Sequence, residues 1–179
     1  MRITGGVLKG RIFNPPAKHW PTRPTTEIAR EGLFNMLSNI LDFESISMLD
    51  LFGGTGAHCY EMISRGCRNT LYVDKFPPAV QFARQTAEAF GITESMEIFR
   101  SDYEMFINTY NGHFDYIFAG PPYPLPKLDQ IPDKIFSAGL LNEGGVLVLE
   151  HNPDWDFKDH VKYWKSRNYG QTIFTFFRA

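Results

Sequence analysis

From residue 46 onward the chain alternates short apolar runs with amphipathic stretches, and that rhythm leaves few folds open to it. Apolar runs at Ser47–Phe52, Asn69–Val73, Met96–Phe99, Phe114–Phe118, Gly145–Glu150 and Gln171–Phe177 have the length and composition of strands. Between them, Ala57–Arg65, Pro78–Phe90, Tyr103–Tyr110, Ile131–Ser137 and Trp155–Lys165 read as helices. Regular strand–helix alternation implies a mostly parallel sheet covered on both faces, because parallel neighbours need a crossover element between them.

Upstream, residues 1–12 read as a hairpin or two short strands, with Gly5-Gly6 at the turn. The proline-rich stretch from Phe13 to Pro24 is expected to be an extended loop. Thr25-Thr26-Glu27 then opens a helix, with Thr25 or Thr26 as cap and Glu27 placed to favour the helix dipole. Leu33, Phe34, Leu37 and Ile40 give that helix an apolar face. Two parts are expected: a basic hairpin and linker over 1–24 and a larger domain over 25–179.

With 179 residues and 43% hydrophobic content, the chain is sized for one ordinary soluble domain. No apolar run reaches the roughly 18 residues of a membrane span, and Met1 to Gly6 lack the apolar core of a signal peptide. Cys59 and Cys67 are the only cysteines and carry no metal-ligand spacing, so free thiols, a cytoplasmic location and no metal are expected. The net charge of −2 hides an asymmetry. Residues 1–26 hold Arg2, Lys9, Arg11, Lys18 and Arg23 with no acid, leaving 13 basic residues against 20 acids in the remainder. A basic arm on an acidic body suits a protein that meets phosphate with one face, although a solvated charged surface reads the same way.

The first strand of the alternating region runs into Asp50-Leu51-Phe52-Gly53-Gly54-Thr55-Gly56 and then directly into a helix. Glycines let the backbone approach a ligand closely, and a loop entering a helix N-terminus is the geometry of dinucleotide sites. Here the third glycine of such a motif is replaced by Cys59, and Asp50 precedes the loop. An acid there suits a ligand with a positively charged amino-acid end, such as S-adenosylmethionine. Asp74, followed by Lys75, ends the second strand, where a carboxylate can accept two ribose hydroxyls. Asp102 and Tyr103 follow the third, where an acid can meet an adenine amino group. Phe52 and Thr55 complete the candidate cofactor set with Asp50, Gly53, Gly54 and Gly56.

The fourth strand ends in Gly120-Pro121-Pro122-Tyr123. Enzymes that methylate exocyclic amines of nucleic-acid bases carry Asp or Asn, then Pro-Pro, then an aromatic residue, at such a strand end. Pro121, Pro122 and Tyr123 fit, and Gly120 stands where the polar side chain belongs. The prolines rigidify the turn, and Tyr123 offers a face for an extruded base. A hydrogen bond to a charged group contributes about 1.5–3 kcal/mol, so its loss would slow transfer by about ten- to a hundred-fold. On that basis Gly120→Asp is expected to raise turnover at least tenfold. Glu150, at the end of the fifth strand, is a candidate substitute for the missing acid.

The chain resembles the RsmD family, bacterial enzymes that methylate N2 of guanine 966 in 16S ribosomal RNA. The resemblance rests on Met1-Arg2-Ile3, Gly5-Gly6, Leu8-Lys9-Gly10-Arg11, Arg23-Pro24-Thr25-Thr26, Arg30-Glu31 with Leu33-Phe34-Asn35, Leu49 to Gly56, Ser64-Arg65-Gly66, Phe114-Asp115 and Pro121-Pro122-Tyr123. It implies an α/β, Rossmann-like methyltransferase fold with a seven-stranded sheet and an N-terminal β-hairpin that grips RNA. It further implies S-adenosylmethionine as cofactor and 16S rRNA or the 30S particle as partner, with no membrane, no metal and a monomer. Lys9, Arg11, Arg23 and Thr25 are then the substrate-side candidates. Two other readings compete: a homologue that binds cofactor and RNA with weak or silent catalysis, for which Gly120 is the warrant, and an adenine-N6 DNA methylase, whose motif class overlaps.

Overall fold

The structure, a computed structural model, describes residues 1–21 and 23–179; Thr22, inside the loop expected over 13–24, lies outside the described residues. Seven strands form one sheet: β1 (Ser47–Asp50), β2 (Asn69–Asp74), β3 (Met96–Arg100), β4 (Phe114–Ala119), β5 (Leu141–His151), β6 (Tyr163–Tyr169) and β7 (Thr172–Arg178). Their order across the sheet is β3-β2-β1-β4-β5-β7-β6. β1 to β5 pair in parallel, and β7 is antiparallel to both β5 and β6. The sheet therefore reverses its direction of growth between β1 and β4. At such a switch point the loops leaving the two strands diverge and open a crevice at the carboxyl edge.

Strand residues alternate between two cores, as side chains on a pleated strand must. Met48, Tyr72, Tyr116 and Val148 face one side and pack with α1 (Glu27–Leu37), α2 (Ala57–Ser64) and α3 (Pro77–Phe90). Leu49, Val73, Ile117 and Leu149 face the other and pack with α4 (Tyr103–Thr109) and α5 (Ile131–Ser137). The N-terminal segment is a short antiparallel pairing, with a bridge between Arg2 and Ile12 and the Ile3 N–H donating to the Arg11 carbonyl at 3.0 Å. Ile3 and Phe13 are buried in the core that covers α2.

Buried Glu61 on α2 ties this hairpin down. It accepts from the Thr4 N–H at 2.5 Å and pairs with Arg65 at 3.3 Å and with buried Arg30 of α1 at 3.5 Å. Arg30 also donates to the Arg2 carbonyl at 2.5 Å. The hairpin is thus anchored by a shared buried carboxylate as well as by apolar packing.

The expected helix over Trp155–Lys165 is corrected. Residues 155–157 are irregular, residues 158–162 make turns and a bend, and β6 begins at Tyr163. Asn152 accepts from the Asp154 N–H at 3.3 Å, and Asp156 from the Lys158 N–H at 3.0 Å. Such short side-chain bonds give the backbone an alternative to helix. β6 then returns as β7 through a tight turn at Gly170, whose φ of 70° suits a hairpin of this kind. β5 also starts four residues before the apolar run that signals it, at Leu141.

Candidate active site

A cavity of about 300 Å³ lies at the carboxyl ends of β1 to β5. Its floor is the glycine loop. An added Cβ on Gly53 would sit 2.1 Å from the Tyr72 ring, so only glycine fits there. The Gly54 N–H donates to Asp74 Oδ2 at 2.8 Å, and the Tyr72 hydroxyl donates to the Gly54 carbonyl at 2.8 Å. Gly56, at φ 79°, caps α2 and lies outside the lining. Gly54 takes φ 52°, which also suits glycine.

Asp50 is 1% exposed, and among the described residues its Oδ1 has no hydrogen-bond partner. Its Oδ2 receives the Cys59 thiol, at 3.7 Å. Burial, and after it the charge of Asp74, pushes the Asp50 carboxyl up to about 8, against smaller lowering contributions from Cys59 and the Phe52 backbone. An orphaned carboxylate oxygen at the wall of a cavity is what a ligand ammonium can satisfy. Asp74 accepts from Gly54 and, through Oδ1, from the Phe76 N–H at 2.8 Å. Burial raises its carboxyl, and those backbone donors hold it back.

Phe52 and Tyr103 line the cavity with ring centroids 4.8 Å apart, alongside Ser101, Thr55 and Lys75. Asp102 is turned elsewhere. It caps α4 by accepting from the Glu104 N–H at 2.9 Å and pairs with Lys75 at 3.7 Å. Ser101 takes its place in the lining.

The other half of the cavity is lined by Gly120, Pro121, Pro122 and Tyr123 after β4, by Arg23 and Thr25 before α1, and by Glu150 at the end of β5. Thr26 is the cap of α1, its hydroxyl accepting from the Ala29 N–H at 3.3 Å. Thr25 is thereby left to donate to Glu150 Oε2 at 2.5 Å. The Tyr123 hydroxyl donates to Glu150 Oε1 at 3.2 Å. Burial raises the Glu150 carboxyl, and the two hydroxyl donors partly offset the rise. Lys9 and Arg11 lie outside the lining, exposed on the hairpin.

His58, just past the glycine loop on α2, is buried and lines the cavity. Its ring stacks on Phe118 at 3.9 Å and shares a hydrogen bond with the Tyr116 hydroxyl at 3.0 Å. Burial, then the Arg30 charge, lowers its pKa and keeps it neutral. Arg30 also reaches the lining. The signal for it was present, since position 30 falls on the stripe of Leu33, Phe34 and Leu37, where an arginine must be buried.

A crevice at the switch point, a close-approach glycine loop and acids at successive strand ends define a Rossmann-like methyltransferase fold. The chain matches the family described as Conserved hypothetical protein 95 over residues 1–178. It belongs to that family, the RsmD family. It is 31% identical to a Bacillus subtilis protein named "Putative rRNA methyltransferase YlbH", over 90% of this chain and 88% of that protein. It is 27% identical to ribosomal RNA small subunit methyltransferase D of Buchnera aphidicola, over 83% of this chain and 74% of that protein. Among solved structures, an Escherichia coli protein described as "Putative methyltransferase yhhF" superposes with a TM-score of 0.85 at 21% identity, covering 99% of this chain and 97% of that one, a likeness of fold.

Proposed function

We propose that the protein is an S-adenosylmethionine-dependent methyltransferase acting on the exocyclic N2 of a guanine in 16S rRNA, in the cytoplasm. One observation carries the reading: the orphaned Asp50 carboxylate and the Pro121-Pro122-Tyr123 turn line the same cavity. The names of the relatives in Bacillus and Buchnera support an RNA substrate.

In this reading Asp50 holds the cofactor's ammonium, Asp74 its ribose hydroxyls, and Phe52, Ser101 and Tyr103 its adenine. The cofactor supplies an electrophilic methyl group on a cationic sulfur. The protein's own task is to position the target. A guanine amine is a poor nucleophile because its lone pair is delocalised into the ring, so acceptors aimed at its hydrogens and a fixed approach carry much of the rate. The Pro121 carbonyl is one acceptor, the two prolines fix its direction, and Tyr123 stacks on the base. Arg23 meets phosphate at the mouth of the cavity.

The test is methyl transfer from labelled S-adenosylmethionine to undermethylated 30S particles, with calorimetry of cofactor binding and mapping of the modified base. Transfer to guanine N2 is expected. Because Gly120 favours a second reading, a homologue that binds without transfer, tight cofactor binding with no incorporation would select that one. Incorporation into duplex DNA instead would overturn both.

A further inference from the structure

We infer that Glu150 supplies the carboxylate acceptor that position 120 lacks, an inference that rests on the methyltransferase reading above. β4 and β5 run in parallel with Ala119 opposite Leu149, so Gly120, just past the end of β4, stands beside Glu150, which is still in β5 and paired with Phe174 of β7. A Cβ built on Gly120 would lie 3.6 Å from Glu150 Oε2. An Asp or Asn at 120 would therefore carry its oxygen into space that the Glu150 carboxylate already fills. The polar group of the motif is present, delivered from the neighbouring strand.

The hydrogen bonds of Glu150 suit that task. Each carboxylate oxygen receives one hydroxyl, from Thr25 and from Tyr123, and keeps further lone pairs for a ligand. The two donors are neutral, and no lysine or arginine among the described residues forms a salt bridge with Glu150. A carboxylate so deeply buried with no cation beside it is costly to keep for structure alone. Its neighbour Tyr123 is the residue on which the target base would stack, so the acceptor is registered to the base through the same side chain. The raised pKa adds a second use.

In the transfer, the amine nitrogen forms its bond to the methyl carbon as the carbon–sulfur bond breaks and that electron pair goes to sulfur. The nitrogen, now cationic, gives one proton to Glu150, which passes it to solvent. Gly120 thereby changes meaning. Gly120→Asp alone should bring no gain, because it sets a second carboxylate against the first.

Transfer to undermethylated 30S particles is measured together with affinity, in the presence of S-adenosylhomocysteine, for an RNA stem-loop carrying guanosine or inosine at the nucleotide modified in that assay. Inosine lacks the exocyclic amine. Glu150→Ala should slow transfer by about ten- to a hundred-fold and erase the preference for guanosine, with cofactor affinity unchanged. Adding Gly120→Asp to Glu150→Ala should restore both. Should Glu150→Ala unfold, Glu150→Gln, which keeps the shape and one acceptor, should retain the guanosine preference while slowing transfer. Full rate and full preference in Glu150→Ala, or a loss that Gly120→Asp does not repair, would overturn the assignment while leaving the methyltransferase reading intact. An unaltered protein that neither transfers nor distinguishes guanosine from inosine would overturn the parent reading, and this inference with it.

Discussion

The two halves of the cavity are built by different means. At β1 to β3, the glycine loop, Asp50 and Asp74 sit on short contiguous stretches, and the loop is braced by Tyr72 and Asp74 on the adjacent strand. At β4 and β5, the working geometry joins residues far apart in the chain, Thr25 bonding Glu150 across 125 positions. The first half depends on backbone shape and, at Gly53, tolerates no added atoms. The second depends on a carboxylate held by hydroxyls, and an added Cβ at Gly120 would meet the Phe118 ring at 3.2 Å and Glu150 Oε2 at 3.6 Å, a tight fit that a small shift of the ring relieves. A side chain at position 120 therefore asks for a smaller adjustment than one at position 53, where the added Cβ would sit 2.1 Å from the Tyr72 ring.

The largest expected effect breaks the cofactor half alone. Gly53→Val would force the loop away from Tyr72, an overpacking cost of about 1–3 kcal/mol. Cofactor affinity measured by calorimetry should fall by up to about a hundred-fold, with a lower melting temperature. The guanosine-over-inosine preference measured without cofactor should survive. Unchanged cofactor binding would mean that the close approach at Gly53 does not matter, and the contrast between the halves would collapse.

A second effect, nearly as large, comes from Asp50. Its carboxyl, at about 8 in the free protein, is mostly protonated at pH 7, whereas a bound ammonium favours the ionised form. Cofactor affinity must then rise with pH, approaching tenfold per unit below 8 and levelling above it. The rise amounts to about fifty-fold between pH 6 and 8. The same shift acts on folding with the opposite sense. The folded protein holds a proton on Asp50 that the unfolded chain releases near pH 4, so this group's contribution to stability declines as pH rises from about 4 to 8. Calorimetry in buffers of different ionisation enthalpy should show nearly one proton released on binding at pH 7. Asp50→Asn should flatten the profile. A flat profile in the unaltered protein would assign the ammonium to another group.

The same contrast explains what could be read from sequence. The parallel core and the Asp50–Gly56 loop were legible because each depends on local pattern: apolar runs of strand length, glycines, an acid at a strand end. The edge was less legible. A helix was expected from Trp155, but the Asn152 and Asp156 side chains turn onto the backbone there and favour turns instead. Asp102 illustrates a different limit, since an acid after β3 serves equally well as a helix cap, and the sequence is the same for both uses. Glu150 was visible as an acid at a strand end, but its distance from Gly120 follows from the register of β4 with β5, which no local pattern encodes.

The smallest expected effect concerns the hairpin, which belongs to neither half. Its tip packs on the carboxyl end of α2, where the Val7 N–H donates to the Ser64 carbonyl at 2.7 Å, while the cavity lies at that helix's amino end. An eight-residue helix spans about 12 Å, so Lys9 and Arg11 stand well away from the chemistry. Cations there can meet phosphate but cannot read the target base, and phosphate binding positions without specifying. Lys9→Glu with Arg11→Glu should therefore weaken RNA binding several-fold and lower the salt slope by about 0.7–0.9 for each phosphate no longer neutralised. The guanosine-over-inosine preference should stay as it was. If charge reversal also removed that preference, the hairpin would have to act on the target pocket, along a path that runs through Glu61 and Arg30 to the cavity wall. Binding unchanged at every salt concentration would instead leave the hairpin as surface.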